Sequence, residues 1–118
     1  MARDLVCVLE TEEQVRNLKP DFDRMMEIDG LLVHVTAQGR EYDCVSRSFG
    51  PKLRIPEDPV CGSGHCHILP FWFDRLGKDE LSAWQASRRG GALYGKKEGS
   101  RIRLSGSAVC FAESTLHI

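Results

Sequence analysis

Ten residues near the middle of the chain, residues 57–66, carry the side chains whose types and spacing could do chemistry. They read Glu-Asp-Pro-Val-Cys-Gly-Ser-Gly-His-Cys, and an apolar run at residues 68–73 follows at once. Asp58 is a candidate acid or base, and Cys61 is a candidate thiolate. The glycines on either side of Ser63 let the backbone bend and let another group come close to it. The pattern is typical of a loop that leads into a helix, with Ser63 as the predicted N-cap.

Such a helix start is a predicted anion site, because its free N–H groups attract a carboxylate or phosphate. The helix dipole also favours the thiolate form of a cysteine there. Pro59 keeps Asp58 extended, at the mouth of the same pocket. Gly, Pro, Asp and Ser also form inert turns. From these residues alone, a functional site and a structural loop therefore remain alternatives.

Length and composition narrow the class of protein. A chain of 118 residues with a net charge of −1 is expected to be one domain with a balanced surface. We expect neither a nucleic-acid nor a membrane partner, since the sequence contains no long basic stretch and no apolar run of about 18 residues. The first residues lack the apolar core of a signal peptide. Five cysteines, an odd count without paired spacing, predict a reduced, cytoplasmic protein.

Four potential metal ligands, Cys61, His65, Cys66 and His67, lie close together in the sequence. Three of them are consecutive on one predicted helix, so their side chains point in different directions. Structural zinc sites use a different spacing. We therefore predict no metal at this position.

The elements that must position the ten residues follow from the hydrophobic pattern. A helix from Ser63 to Leu76 has apolar residues at three- and four-residue spacing, and Gly77 is suited to end it. Thr11 and Gln14 form a predicted capping box for an earlier short helix. A second short helix is predicted over residues 22–28, and Gln38 to Arg40 are a candidate hairpin turn. Predicted strands cover residues 5–9, 31–37, 41–49, 80–87, 91–94, 100–104 and 108–113.

Several segments together resemble the PhzF-like phenazine-biosynthesis family, which shares the diaminopimelate-epimerase fold. The resemblance covers nearly the whole chain. It rests most on the ten central residues combined with Gln-Ala-Ser-Arg-Arg-Gly-Gly at residues 85–91. The other matching segments are residues 47–51, 69–72, 76–78 and 105–109.

The resemblance implies a fold of two similar domains with the active site in the cleft between them. Residues 1–118 are similar to the C-terminal domain alone, and the N-terminal domain that carries the family's catalytic glutamate is absent from this sequence. The fold class implied for the chain is α+β: a curved, mostly antiparallel sheet or barrel wrapped around a central helix.

The resemblance also implies chemistry, namely isomerisation by proton transfer without a metal or organic cofactor. The substrate class is a small carboxylate such as a dihydro-hydroxyanthranilate. Asp58 matches the family aspartate that touches the substrate. Gly62 and Ser63, with Gly64 beside them, match the helix start that holds the substrate carboxylate.

Position 61 departs from the family pattern, which usually has threonine there. Cys-Gly-Ser-Gly is similar to the Cys-Gly-Thr-Gly of the racemase and epimerase branch, in which this cysteine is an acid/base thiol. Cys61 is therefore either catalytic, as half of a racemase site, or a near-isosteric substitute for threonine. We favour the substitute, because Asp58 is retained in the same turn and cysteine is often a small buried residue.

The chain alone holds half of the expected site, so whether it acts as an enzyme by itself is left open. A separate N-terminal-domain partner, a homodimer or a longer parent chain would complete the cleft. Met1 favours a short natural gene, and a split gene is equally compatible. The alternative is a non-catalytic remnant, or a module that binds a carboxylate and oligomerises. Either way, an exposed apolar patch and self-association are expected.

Overall fold

The computed structural model describes residues 3–118. Met1 and Ala2, which form part of the segment judged for a leader, lie outside the described residues. There are three α-helices among the described residues: α1 (Glu12–Asn17), α2 (Phe22–Met25) and α3 (Gly62–Leu76). The strands are β1 (Asp4–Val8), β2 (Leu32–Gln38), β3 (Cys44–Gly50), β4 (Ile55–Asp58), β5 (Glu80–Gln85), β6 (Gly91–Glu98) and β7 (Arg101–Gly106).

The strands form one mixed sheet in the order β1-β2-β3-β5-β6-β7, and β4 pairs with β3 beside this path. Four pairings are antiparallel, and two, β1–β2 and β3–β5, are parallel. The α+β class with a mostly antiparallel sheet is therefore confirmed. The alternative of a closed barrel is not what forms, because β1 and β7 are the free edges of an open sheet in the described chain.

Helix α3 carries the larger core. Its apolar face buries Ile68, Leu69, Trp72 and Phe73 against residues of β5 and β6, as the three- and four-residue spacing predicts. Burying each such side chain stabilises the fold by about 1.5–3 kcal/mol. Gly77 ends the helix in the left-handed region at φ 63°, as predicted. The packing of this apolar face against the sheet therefore fixes α3 as a whole, including its start.

A second core cluster lies under α1, where Val15 packs with the buried residues Val35, Val45 and Phe49. The predicted capping box is present: Thr11 Oγ1 accepts from the Gln14 N–H, and Gln14 Oε1 accepts from the Thr11 N–H. The second predicted short helix is shorter than expected and ends at Met25.

The predicted last strand, residues 108–113, is wrong. These residues have no regular structure, and the side chains of Val109 and Phe111 are 91% and 100% exposed. A strand needs a neighbour to pair with, and β7 pairs only with β6 among the residues described. Cys110 is exposed for the same reason, whereas Cys44, in β3, is buried.

No helix formed by residues 3–118 is both long enough and apolar enough to cross a membrane.

Candidate functional site

The start of α3 differs from the prediction by two residues. Cys61 is the N-cap, and Ser63 is the second residue inside the helix. Cys61 has the extended backbone of a cap, with φ −94° and ψ 95°, and its N–H donates to Gln85 Oε1 at 2.6 Å. The side chain of Cys61 makes no capping bond, and Gln85 on β5 accepts from the N–H of the cap residue itself.

The N–H groups of Gly62, Ser63 and Gly64 precede the first bond inside the helix, which the His65 N–H makes to Cys61 O at 3.3 Å. They therefore have no acceptor within the helix. Gly62 is exposed, and none of the described residues places a heavy atom within 4 Å of the point where a Cβ would stand on it. The helix start thus offers donors and open space together.

Gly64 faces the interior instead. A Cβ at this position would lie 2.5 Å from Cε1 of His34 and 3.2 Å from Sγ of Cys61. The absence of a side chain lets the imidazole pack directly on the helix backbone. Of the three predicted carboxylate-binding residues, Gly62 and Ser63 are exposed and Gly64 is buried.

Asp58 ends β4 and begins the turn into the helix. Its Oδ1 accepts from the Val60 N–H at 3.0 Å, and its backbone oxygen accepts from Gln85 Nε2 at 2.6 Å. The side chain is half-buried. Asp58 is therefore fixed at both its carboxylate and its backbone, three residues before the cap.

Cys61 is 2% exposed, and its Sγ lies 3.6 Å from Ser63 Oγ. Ser63 Oγ also accepts from Nη2 of Arg3 at 3.2 Å. The thiol is thus covered, while the hydroxyl and a guanidinium stand at the surface beside it. A negatively charged group at the helix start would meet donors from both.

His65 is fully buried, and its Nδ1 lies 2.7 Å from Cys61 O. Burial lowers the pKa of His65 and keeps the ring neutral. The ring of His34 is also neutral. Burial lowers its pKa below the usual value, and the nearby Asp4 carboxylate opposes this effect only in part. His34 Nδ1 hydrogen bonds with Ser48 at 2.8 Å, and its Nε2 lies 3.6 Å from Asp4 Oδ2.

No group of three or more His, Cys, Asp or Glu side chains has the geometry to hold a metal ion in the described part of the chain. His65 and Cys66, two of the four potential ligands, point in different directions. The ring of His65 is buried, whereas Cys66 is exposed with its Sγ 3.7 Å from Gly62 O.

A cavity of about 350 Å³ lies beside the Asp58 turn and is lined by Glu57, Pro59, Ser87, Arg88 and Arg89. Both arginines are exposed and place positive charge at the edge of this cavity.

Sequence reasoning missed Gln85 and Ser87 as parts of the site. The side-chain hydrogen bonds of both residues go to the turn that carries Asp58 and Cys61. The signal that could have found them is that two distinctive segments, residues 57–66 and 85–91, occur together in one short chain.

An open α+β sheet with an anion-ready helix start and an aspartate one turn upstream defines the class of this domain. The chain belongs to the phenazine biosynthesis-like family, PhzC-PhzF, whose model matches residues 1–114. A Pseudomonas aeruginosa protein named an uncharacterized isomerase is 43% identical over 97% of this chain and 44% of its own length.

Solved structures agree with this assignment. A PhzF-family phenazine biosynthesis protein of Enterococcus faecalis superposes with a TM-score of 0.90 at 48% identity, over 95% of this chain and 44% of that one. A PhzC/PhzF protein of Clostridium difficile gives 0.89 at 40% identity, over 100% and 46%. The chain therefore spans somewhat less than half the length of these relatives.

Proposed function

We propose that the chain is the carboxylate-binding half of a cofactor-independent isomerase, which moves a proton between two carbons of a small carboxylate. The observation that carries the proposal is the start of α3. There the N–H groups of Gly62 and Ser63 have no helical acceptor and Gly62 borders open space. Donors at a helix N-terminus favour a bound carboxylate. The name isomerase on the Pseudomonas aeruginosa relative supports the reaction class.

Each residue has a proposed role. Gly62 and Ser63 hold the substrate carboxylate through their N–H groups and the serine hydroxyl, and Gly64 leaves room for His34 to support the helix start from below. Asp58 contacts the reacting part of the substrate and serves as an acid or base. A base removes a proton from one carbon, the electron pair moves into the conjugated system, and a proton is returned at another carbon.

Burial supports one of the two roles considered for Cys61. At 2% exposure its thiol is covered by its own chain, and a group that takes a proton from carbon must reach that carbon. We therefore propose Cys61 as a small packing residue that replaces threonine. The alternative, a racemase or epimerase half-site based on Cys61, requires the thiol to become exposed when the site is completed.

We propose that a second unit supplies the rest of the cleft, including the catalytic glutamate that the resemblance implies. Relatives of more than twice the length support this, as does the C-terminal segment after β7, residues 107–118. This segment presents four apolar side chains, Val109, Phe111, Leu116 and Ile118, that are 83% to 120% exposed. A homodimer, a separate N-terminal-domain partner or a longer parent chain would cover them. We propose that the protein acts in the cytoplasm, since its five cysteines are all free.

The same exposed segment favours a second candidate function, a non-catalytic module that binds a carboxylate and oligomerises. The two functions differ in whether carbon-bound hydrogen exchanges with solvent. Deuterium incorporation in D2O, followed by NMR over a panel of amino acids and cyclic hydroxy acids, separates them. The chain is measured alone and after mixing with the unmatched half of the Pseudomonas aeruginosa relative.

We expect incorporation only in the mixture, and its loss in Asp58→Asn. Incorporation by the chain alone that disappears in Cys61→Ser would establish the racemase alternative instead. If the mixture binds carboxylates but gives no incorporation with any compound, the binding module is the correct function.

A further inference from the structure

The segment Gln85–Ser87 holds the turn that carries the site. Gln85 Nε2 donates to Asp58 O, and Gln85 Oε1 accepts from the Cys61 N–H, both at 2.6 Å. Ser87 Oγ donates to Pro59 O at 2.6 Å. Three of the four residues from Asp58 to Cys61 thus have a backbone group bonded to side chains of this one segment.

Gln85 spans the turn with both ends of its amide. Its side chain is fully buried, and β5 places its backbone opposite Ser46 on β3 and Gly91 on β6. A buried primary amide has donors and an acceptor, and these two bonds use one of each. Because β5 is paired on both sides, the amide of Gln85 ties the Asp58–Cys61 turn to the interior of the sheet.

The loop after Gln85 also encloses the turn sterically. A Cβ on Gly91 would lie 2.5 Å from Cγ2 of Val60, so only glycine lets the two segments approach this closely. Gly90, at φ 71°, stands against the indole of Trp84 and donates its N–H to Ser87 Oγ at 3.0 Å. Residues 85–91 therefore surround the Asp58–Cys61 turn and hold its backbone in place.

We propose that Gln85 is a positioning residue, which fixes the Asp58 carboxylate and the α3 N-terminus at the separation that the substrate requires. Ser87 supports it at Pro59. The effect that we predict on carboxylate binding rests on the proposed function, because it requires a carboxylate at the helix start. The effect that we predict on the structure of the turn does not rest on it, because it concerns only the hydrogen bond of the Cys61 N–H.

Two variants test the bonds that Gln85 makes. Gln85→Met removes the donor and the acceptor and adds no charge. Gln85→Glu keeps the acceptor for the Cys61 N–H and, as the neutral acid that burial favours, keeps a donor for Asp58 O. The matched control is Thr36→Val, which removes two other buried hydrogen bonds away from the turn, from Thr36 Oγ1 to Val45 O and from Trp72 Nε1 to Thr36 Oγ1.

The first measurement needs no ligand. Amide hydrogen exchange of the Cys61 N–H, read by 15N NMR, is expected to speed up about tenfold or more in Gln85→Met, relative to other core amides. The rate is expected to stay near that of the wild type in Gln85→Glu and in Thr36→Val. A merely structural role would speed up all core amides together and would not distinguish glutamate from methionine.

The second measurement is a titration with anthranilate, a stable carboxylate probe. We expect about tenfold weaker binding in Gln85→Met than in Thr36→Val at equal Tm, with Ser87→Ala between them. If Gln85→Met does not fold, Ser87→Ala carries the test, and it must weaken binding.

The outcomes are distinguishable. An unchanged Cys61 exchange rate in a folded Gln85→Met, or unchanged anthranilate affinity in the variants, overturns the positioning role and leaves the proposed function intact. Wild-type protein that does not bind anthranilate contradicts the proposed function, while faster Cys61 exchange in Gln85→Met still supports the hold of Gln85 on the turn.

Discussion

Nδ1 of His65 lies 2.7 Å from the carbonyl oxygen of Cys61. A carbonyl has no proton to give, so Nδ1 donates, and in the neutral ring Nε2 accepts from the Ser46 hydroxyl at 3.2 Å. Together with the bond from Cys61 N to Gln85, both backbone groups of the helix cap are bound by buried neutral side chains. The two hydrogen bonds that hold the cap backbone therefore involve no ionised side chain.

This arrangement predicts that stability falls in mildly acidic solution. Burial lowers the pKa of His65 and of His34 below the usual 6.5 in the folded protein. As the pH drops below 6.5 the unfolded chain takes up protons that the folded chain does not. The free energy of unfolding must then decrease, until the pH passes the lowered pKa values and the folded rings are protonated as well.

Urea unfolding at several pH values between about 8 and 5 measures this slope. His65→Asn should reduce it, whereas His117→Gln, in the exposed C-terminal segment, should leave it unchanged. A free energy of unfolding that is constant over this range would contradict the assignment of neutral buried rings.

The two glycines at the helix start predict opposite outcomes for the same substitution. Gly64→Ala places a methyl group 2.5 Å from the buried ring of His34, and should destabilise the fold by about 1–3 kcal/mol. Gly62→Ala meets none of the described residues within 4 Å and should leave Tm unchanged or slightly raised. Thermal unfolding of both variants checks this difference. Equal Tm values in the two variants would refute the packing of His34 on Gly64.

The ion pair between Arg47 and Glu57 is predicted to fix β4. Arg47 Nε and Nη2 lie 2.7 and 3.0 Å from the two carboxylate oxygens, and Nη1 donates to Leu18 O at 2.7 Å. The side chains are 11% and 22% exposed. Arg47→Met should cost about 2–3 kcal/mol, because it leaves a partly buried carboxylate without its partner.

Chemical denaturation measures the cost of Arg47→Met, and a double-mutant cycle with Glu57→Gln isolates the pair. Glu80→Gln, which breaks the exposed pair with Lys96, is the control and should leave the unfolding midpoint in place. Additive effects of the two substitutions at Arg47 and Glu57 would show that the pair contributes nothing.

The C-terminal segment, residues 107–118, predicts self-association through exposed apolar side chains. Replacing Val109 and Phe111 with serine should shift the protein toward monomer in sedimentation velocity at micromolar concentration, without a change in Tm. The control replaces Tyr94 with serine. Tyr94 is exposed and lies on the face of β6 opposite to that of the buried Leu93. A wild-type chain that is monomeric at all concentrations contradicts this prediction.

The sequence predicted local features well. The capping box at Thr11, the apolar face of α3 and the end of that helix at Gly77 each depend on residues a few positions apart, so they are visible in one segment. The family resemblance, now confirmed by a match over residues 1–114, identified the ten central residues as one unit.

Features that depend on distant partners were not predictable. The bond from the Cys61 N–H to Gln85 joins residues 24 positions apart, so no local pattern could indicate it. Residues 108–113 have strand-like composition but no partner strand, and composition does not reveal whether a partner exists. The roles proposed for Asp58, Gly62 and Ser63 remain predictions until a ligand is bound.

Titration of the 15N-labelled chain with anthranilate tests the central claim most directly. The amide signals of Gly62, Ser63 and Gly64 should shift in a saturable manner, and the same titration of Gly62→Ala should show markedly weaker binding at unchanged Tm. The amide of Gly99, in the distant β6–β7 turn, is the internal control. Saturable shifts confined to the start of α3 would establish the carboxylate site. Shifts elsewhere, or none at these three amides, would contradict it.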